Sequence, residues 1–156
     1  MIEELTPQEC SLENFKRMHE ILIENQCITY PGFVDEPNNF NIWINNMKNE
    51  KDYHILLYKE TDEIKGFLNY GFINEENWIA EIQIDNKEKN KGITKKLLKR
   101  FYNINKNKIK EVYAFINPNN NLSKEVFINH VGFKKLDRYK NRYVLTINDL
   151  KNYLEK

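Results

Sequence analysis

A glycine among lysines is the part of the sequence best suited to bind a ligand. Gly92 separates a lysine-rich turn from residues 93–102, whose apolar spacing predicts a helix. The first amides of a helix have no partner within it, and the helix dipole adds partial positive charge there. Glycine lets a ligand approach this backbone closely. The site therefore suits a phosphate or pyrophosphate, with added charge from Lys89, Lys91, Lys95 and Lys96.

Positive charge is concentrated in one segment of an almost neutral protein. The formal net charge is +1, but residues 87–110 are strongly basic and contain a single acidic residue, Glu88. A local basic band on a neutral protein favours a local anionic ligand over general coating of nucleic acid. Two alternatives stay open on these residues alone: a solvated, lysine-rich surface, and a nucleic-acid-binding module that uses residues 87–110.

The histidines and cysteines do not follow a metal-ligand pattern. His54 and His130 have no cysteine or carboxylate partner at zinc-like spacing, and no HExxH sequence occurs. Cys10 and Cys27 are too few for a disulfide framework. The sequence therefore predicts no metal site and two reduced cysteines.

The cellular location is predicted from what the sequence lacks. No apolar run is long enough to cross a bilayer. Residues 1–10 are acidic and lack the basic and apolar regions of a signal peptide. We expect a cytoplasmic protein without a membrane partner.

These residues are predicted to lie in one domain, residues 1–156, because 40% hydrophobic residues over this length can bury one core. Apolar periodicity predicts helices from about residue 11 and over 39–49, followed by strands over 53–59, 64–73 and 78–84 joined by short turns. Further elements are predicted at 93–104 (helix), 111–116 (strand), 122–130 (helix), and 133–139 and 142–147 (hairpin).

The centre of this arrangement is a βαβ unit. Strand 78–84, helix 93–104 and strand 111–116 follow one another, so the two strands are expected to be parallel and joined right-handedly. The other strands are joined by short turns and are expected to be antiparallel. The predicted fold class is α/β, with a mixed, mostly antiparallel sheet that contains one parallel pair and is flanked by helices.

The order of the elements and two motifs resemble the GNAT superfamily of acyl-CoA-dependent N-acyltransferases, over nearly the whole chain. The central motif of that family is Gln/Arg-x-x-Gly-x-Gly/Ala, and residues 89–94 read Lys-Asn-Lys-Gly-Ile-Thr. Gly92 matches the motif, Lys89 preserves the charge, and Thr94 replaces a small residue with one that carries a hydroxyl.

A second motif of the family is found near the C-terminus. It consists of an asparagine, a helix that often carries a tyrosine, and Gly-Phe; Asn121, Gly132 and Phe133 match it. The tyrosine position holds Ile128, which cannot donate a proton. The resemblance therefore leaves open an active N-acetyltransferase and a weak or inactive relative that only binds CoA.

The resemblance implies a V-shaped opening between the two parallel strands, into which acetyl-CoA enters as co-substrate. No metal is expected. The pantetheine would pair with the backbone of residues 82–84, and the pyrophosphate would lie on the amides of residues 91–94. The expected CoA-binding residues are Ile82, Gln83, Ile84, Lys89, Asn90, Lys91, Gly92, Ile93, Thr94 and Asn121.

The resemblance also implies transfer of the acetyl group by direct attack of a primary amine in a ternary complex. An alkylamine has a pKa of about 10.4, so a base helps to remove its proton. Glu81 is the candidate, because desolvation in an apolar strand raises the pKa of a carboxyl; a purely structural carboxylate is the alternative. An N–H near Ile84 would bind the oxyanion. The thiolate would leave with water, Tyr143 or Tyr139 nearby; packing of the hairpin is the alternative role of the two tyrosines.

The acceptor is expected to bind against Glu81 and a loop. Residues 27–37 contain prolines and a glycine that predict the loop, and its Tyr30 and Phe33 are candidate contacts. We expect a small-molecule or peptide amine as acceptor, no nucleic acid, and a monomer or homodimer.

Overall fold

A seven-stranded mixed sheet organises the fold, which the computed structural model describes for residues 1–136 and 141–156. In chain order its first half contains β1 (Ile2–Leu5), α1 (Leu12–Thr29), α2 (Asn39–Asn49), β2 (Tyr53–Glu60), β3 (Glu63–Ile73) and β4 (Glu76–Ile84). A 3-10 turn at Asn86–Glu88 leads to α3 (Ile93–Asn105) and β5 (Glu111–Phe115). A short helical turn, α4 (Asn121–Ser123), runs into a π-helix at Lys124–Val131, and β6 (Lys134–Lys135), β7 (Arg142–Thr146) and α5 (Ile147–Leu154) follow.

The strands lie in the order β1-β2-β3-β4-β5-β7-β6. Neighbouring strands are antiparallel except β4 and β5, which are parallel and connected through α3. This arrangement confirms the predicted α/β fold with a mostly antiparallel sheet and one splayed parallel pair. No helix within the described ranges, 1–136 and 141–156, is long and apolar enough to cross a membrane.

Helices cover both faces of the sheet, because the side chains of its central strands alternate between two apolar clusters. On one face α1 and α2 pack on β2 and β3, where Phe15 and Met47 meet Ile55 and Phe67. On the other face α3 and α5 pack on the sheet, and this cluster contains Leu56, Leu68, Leu97, Leu98, Phe101 and Leu150.

Two segments differ from the sequence predictions near the N-terminus. Strand β1 is not predicted; it consists of four residues and is defined by its pairing with β2, where Ile2 faces Tyr58 and Leu5 faces Ile55. The segment predicted as a loop from residue 27 begins later, because α1 continues to Thr29. Pro31 follows two residues on, where a helix cannot easily continue.

The C-terminal half differs in detail. The helix predicted over 122–130 is observed, but most of it is the wider π-helix, and Gly132 ends it with a φ of +106°. The last hairpin has shorter strands than predicted. Residues 137–140, which include Tyr139 and the first residue of the predicted turn, lie outside the described part of the chain.

Candidate active site

The parallel strands β4 and β5 part next to a single pair of residues. Trp78 pairs with Tyr113, and no further pair joins the two strands in the ranges that the structure describes. On its other edge β4 stays paired with β3 as far as Ile84. The Asp85 N–H donates to the Lys65 carbonyl oxygen of β3 at 2.9 Å, so backbone alternation turns the N–H of Ile84 toward the gap. This edge of β4 therefore offers the N–H of Ile84 to a ligand, whereas the Ile84 carbonyl oxygen accepts from the Asn25 Nδ2–H at 2.9 Å.

Two adjoining cavities fill this gap. The larger has a volume of about 430 Å³ and lies between the end of β4, the start of α3 and the π-helix. The smaller, of about 260 Å³, extends along β4 to the end of β5. Both are lined by Gln26, Tyr30, Ile82, Gln83 and Phe127, among others. Because they share these lining residues, the two cavities lie side by side, and together they are called the cleft.

The start of α3 lies at the larger cavity. Asn90 and Gly92 have left-handed backbone conformations, with φ of +67° and +80°. The first helical hydrogen bond runs from the Lys96 N–H to the Gly92 carbonyl oxygen at 3.1 Å, so the amides of residues 93–95 have no partner within the helix. A Cβ at Gly92 would meet no atom within 4 Å, which leaves room for a ligand. This backbone can bind an anion.

Most of the predicted CoA-binding residues line the larger cavity, and two do not. The lining includes Ile82, Gln83, Ile84, Lys89, Asn90, Gly92, Ile93 and Thr94. Lys91 lies outside it and forms an ion pair with Glu88 at 2.8 Å. Asn121 also lies outside the lining, whereas Asn120 belongs to it and caps the following turn by accepting from the Ser123 N–H at 3.0 Å.

Of the four lysines predicted around Gly92, Lys89 and Lys95 line the larger cavity and the other two do not. The ammonium of Lys95 donates to the Lys156 carbonyl oxygen at 3.0 Å. Lys96 points away from the cleft, and its ammonium lies 3.4 Å from the hydroxyl of Tyr58. Positive charge at the cavity therefore comes from Lys89, Lys95 and the helix N-terminus.

A β-bulge orients Glu81. Asn69 of β3 pairs with Glu81 and Tyr70 pairs with Ile79, so Ala80 is the extra residue in β4. Without the bulge, Ile79 and Glu81 would lie on the same face. With it, Ile79 packs in the core beneath α3, and the Glu81 carboxylate faces α2 and lines the smaller cavity.

The surroundings of Glu81 bring its pKa close to neutral pH. Burial of the carboxylate raises the pKa of Glu81 from 4.5 to about 7, although hydrogen bonds from Trp43 and Gln83 act in the opposite direction. The Trp43 Nε1–H donates to Oε2 of Glu81 at 3.1 Å. The indole of Trp43 is itself packed against the rings of Phe15 and His19, at centroid distances of 6.1 and 5.4 Å. A carboxylate in this state can accept a proton at neutral pH.

Of the aromatic residues predicted to act at the site, Tyr30 lines the cleft, whereas Phe33 and Tyr143 do not. Tyr30 lines both cavities, and Phe33 lines neither. Tyr143 is buried in the core beneath α3 and α5, on the face of the sheet opposite to Glu81. The reason is strand parity, since Tyr143 pairs with Ala114, whose side chain belongs to the same core. The structure thus does not bring Tyr143 to Glu81, and Tyr139 lies outside the described residues.

Several cleft residues have no counterpart in the sequence prediction. They come from the last two turns of α1 and from the π-helix: Asn25, Gln26, Thr29, Val126, Phe127 and His130. The absence of glycine and proline before Pro31 is the signal that would have extended α1. Among the residues described, no cluster of histidine, cysteine and acidic side chains could hold a metal ion.

Comparison with known proteins agrees with this geometry. The model of the acetyltransferase (GNAT) domain family matches residues 10–149. No curated protein matches the chain.

Solved structures with the same fold include three named acetyltransferases. The PaiA N-acetyltransferase of Thermoplasma acidophilum, solved with coenzyme A, is 20% identical, with a TM-score of 0.67 over 92% of this chain and 96% of that one. The ribosomal-protein-S18-alanine N-acetyltransferase of Escherichia coli is 12% identical, with a TM-score of 0.65 over 94% of each chain.

The third is an aminoglycoside acetyltransferase from an uncultured soil metagenomic sample, solved with sisomicin. It is 15% identical, with a TM-score of 0.61 over 83% of this chain and 85% of that one. At these identities the three structures establish the fold, while the family match spans most of the sequence. The chain belongs to the GNAT family of acetyltransferases and is an acyltransferase.

Proposed function

We propose that this acyltransferase moves an acetyl group from acetyl-CoA to a primary amine, by direct attack in a ternary complex. The observation that carries the proposal is the pair of adjoining cavities in the cleft, one lined by the N-terminus of α3 and the other by Glu81. An anion site and a proton acceptor in one cleft are what a phosphorylated thioester and an amine require.

The larger cavity is proposed to hold acetyl-CoA. The amides of residues 93–95 and the ammonium groups of Lys89 and Lys95 would bind the pyrophosphate. The free edge of β4 at residues 82–84 would pair with the pantetheine, which carries amide groups of its own. The PaiA N-acetyltransferase of T. acidophilum, which shares the fold, was solved with coenzyme A.

The chemical step is proposed to use Glu81 as the base. Glu81 accepts a proton from the attacking amine, whose nitrogen forms a bond with the thioester carbonyl carbon. The N–H of Ile84, which is turned toward the gap, would donate to the oxyanion. The carbon–sulfur bond then breaks, and the products are an amide and the CoA thiolate. A raised pKa suits this role, because the base must gain a proton near neutral pH.

The thiolate is proposed to leave without a tyrosine at the position of Ile128. Thiols have a pKa of about 8.5, so a thiolate is a tolerable leaving group in water. Tyr143 is not proposed as the acid, because it packs in the core beneath α3 and α5 and lines neither cavity. Tyr30 lines both cavities and would therefore be near both the thioester and the amine.

The acceptor is proposed to be a small-molecule or peptide amine that enters by the smaller cavity. Tyr30 would contact it, and Phe115, which lines the same cavity and is 70% exposed, offers an apolar wall. The relatives that share the fold include proteins named for an aminoglycoside and for a ribosomal-protein alanine. We propose that the protein acts in the cytoplasm as a monomer or homodimer.

The decisive experiment combines calorimetry with an assay of free thiol. Acetyl-CoA is titrated into the purified protein, and CoA release is then followed over a panel of diamines, amino sugars, amino acids and peptides. Binding of acetyl-CoA together with amine-dependent thiol release supports the proposal. Binding without release from any amine would favour a CoA-binding relative, consistent with Ile128. Absence of binding would refute the proposed function.

A further inference from the structure

An ion pair behind the turn that leads to α3 has no part in the chemistry proposed above. Arg17 of α1 pairs with Asp85, the residue that follows β4. Asp85 is 6% exposed, and the side chain of Arg17 is 24% exposed. The Nε–H of Arg17 also donates to the Ile64 carbonyl oxygen of β3 at 3.2 Å. Arg17 thus joins three elements while lying outside the lining of both cavities.

Asp85 divides its carboxylate between the arginine and the turn. Oδ2 accepts from Arg17, whereas Oδ1 accepts from the Lys87 N–H at 3.0 Å and caps the 3-10 turn Asn86–Glu88. Burial acts to raise the pKa of Asp85, but the hydrogen bonds from Lys87 and Arg17 outweigh it and hold the pKa below its ordinary value of 3.8. Asp85 therefore remains a carboxylate at neutral pH.

Glu88 ties down the other end of the same turn. Its side chain is 13% exposed, and its carboxylate lies 2.8 Å from the ammonium of Lys91 and 3.5 Å from that of Lys65. The chain then passes through the left-handed residues Asn90 and Gly92 into α3. The position of the first amides of α3 relative to β4 consequently depends on how the turn is held at both ends.

The partial burial of this ion pair, in which Asp85 is buried and Arg17 half-buried, points to positioning. Two charges removed from water contribute little net stability, and packed apolar residues often replace them without loss. Arg17, however, makes directional hydrogen bonds in a fixed fork, which an apolar residue cannot.

We infer that Arg17 is a positioning residue for the acyl-CoA: acting through Asp85, it places the amides at the start of α3 where they meet the pyrophosphate. This inference rests on the proposed function, because it takes the pyrophosphate to bind next to Gly92.

The test compares two thioesters in the variant Arg17→Met, which keeps the aliphatic stem and removes the charge. The KM for acetyl-CoA is expected to rise about tenfold, the loss that follows when one charge-assisted contact is weakened. The kcat and the KM for the amine stay within about twofold of wild type. S-acetylpantetheine has the thioester but no pyrophosphate, so wild type and variant are expected to use it equally well.

Two further variants make the result specific. Lys59→Met breaks the ion pair of Lys59 with Glu3, which measures 2.9 Å and joins β2 to β1 away from the turn; its KM for acetyl-CoA is expected to stay unchanged. Asp85→Asn keeps an oxygen for the Lys87 N–H but loses the charge, so its KM is expected to rise for acetyl-CoA alone. If Arg17→Met does not fold, as judged by circular dichroism, Asp85→Asn decides the matter.

The failure of this inference is distinguishable from the failure of the proposed function. Equal losses with both thioesters, or an unchanged KM for acetyl-CoA in a folded variant that is merely less stable, would overturn the positioning role. In either case wild type still binds acetyl-CoA in calorimetry. If wild type itself gives no heat with acetyl-CoA, both the proposed function and the inference fall.

Discussion

Replacing Glu81 with glutamine is expected to lower activity and raise stability. The amide has nearly the same shape as the carboxyl, and its oxygen can still accept from the Trp43 Nε1–H. It cannot take the proton of the amine, so turnover at neutral pH is expected to fall at least about 100-fold, the usual contribution of a general base. The affinity for acetyl-CoA stays unchanged, because Glu81 lines only the smaller cavity.

The gain in stability follows from the raised pKa of Glu81. Raising a pKa from 4.5 to about 7 disfavours the charged form in the folded protein by about 3 kcal/mol, at about 1.4 kcal/mol for each tenfold change in proton affinity. Glu81 keeps some contact with solvent in the cleft, so about 2 kcal/mol is the more realistic figure.

The sign of the effect depends on pH. The folded pKa lies above the unfolded one, so the stability supplied by protonated Glu81 is fully present below pH 4.5 and is lost as the pH rises through about 7. Glutamine does not titrate and escapes this loss. The variant and wild type are therefore expected to be equally stable near pH 4.5, and the variant is expected to be the more stable near pH 8.

Urea unfolding at both pH values measures the difference directly. The matched control is Glu24→Gln, an exposed side chain of α1, which is expected to change neither stability nor turnover. Equal stability of Glu81→Gln and wild type at pH 8 would refute the desolvation of Glu81. Unchanged turnover across the pH range would remove it from the role of base.

Three further variants test other parts of the cleft. Trp43→Phe removes a donor that lowers the pKa of Glu81, so the rise of kcat/KM with pH is expected to move to higher pH; an unshifted profile would separate Trp43 from the titrating group. Gly92→Ala places a side chain at a φ of +80°, which is expected to cost about 1 kcal/mol of stability and to weaken acetyl-CoA binding in calorimetry. Gly32→Ala, at a φ of +87° in the α1–α2 loop, serves as its control, with a similar stability loss and unchanged affinity; equal binding by both variants would contradict the placement of the pyrophosphate. Tyr143→Phe is expected to keep turnover within about twofold, because Tyr143 lines neither cavity, and a loss above about tenfold would return Tyr143 to the mechanism.

The sequence predicts the start of α3 well because the signals are local. The apolar run of β4, the glycine and the helical period lie within residues 78–102, and the central part of that segment, residues 82–95, supplies much of the lining of the larger cavity. Glu81 also stands out locally, as a carboxylate inside an apolar strand. In the structure its pKa is raised by desolvation, which is the cause that the sequence suggested.

The features that the sequence does not predict depend on distant pairing. The bulge at Ala80 is defined by its register with β3, and Trp43 meets Glu81 from a helix 38 residues earlier in the chain. Strand β1 has only four residues and owes its conformation to β2. Residue type alone makes Tyr143 a candidate for proton transfer, and only the parity of β7 decides which face of the sheet it occupies.

The single backbone pair that joins β4 to β5, Trp78 with Tyr113, affects how the protein responds to its substrate. Among the described residues, this is the one backbone pair that joins the N-terminal half of the sheet to the C-terminal half. A pantetheine lying along β4 would fill the gap between β4 and β5, and a ligand that binds only the folded protein stabilises it by mass action. When the thioester is removed, amide hydrogen exchange is therefore expected to become faster in β5 and β7 while the rest of the protein stays folded.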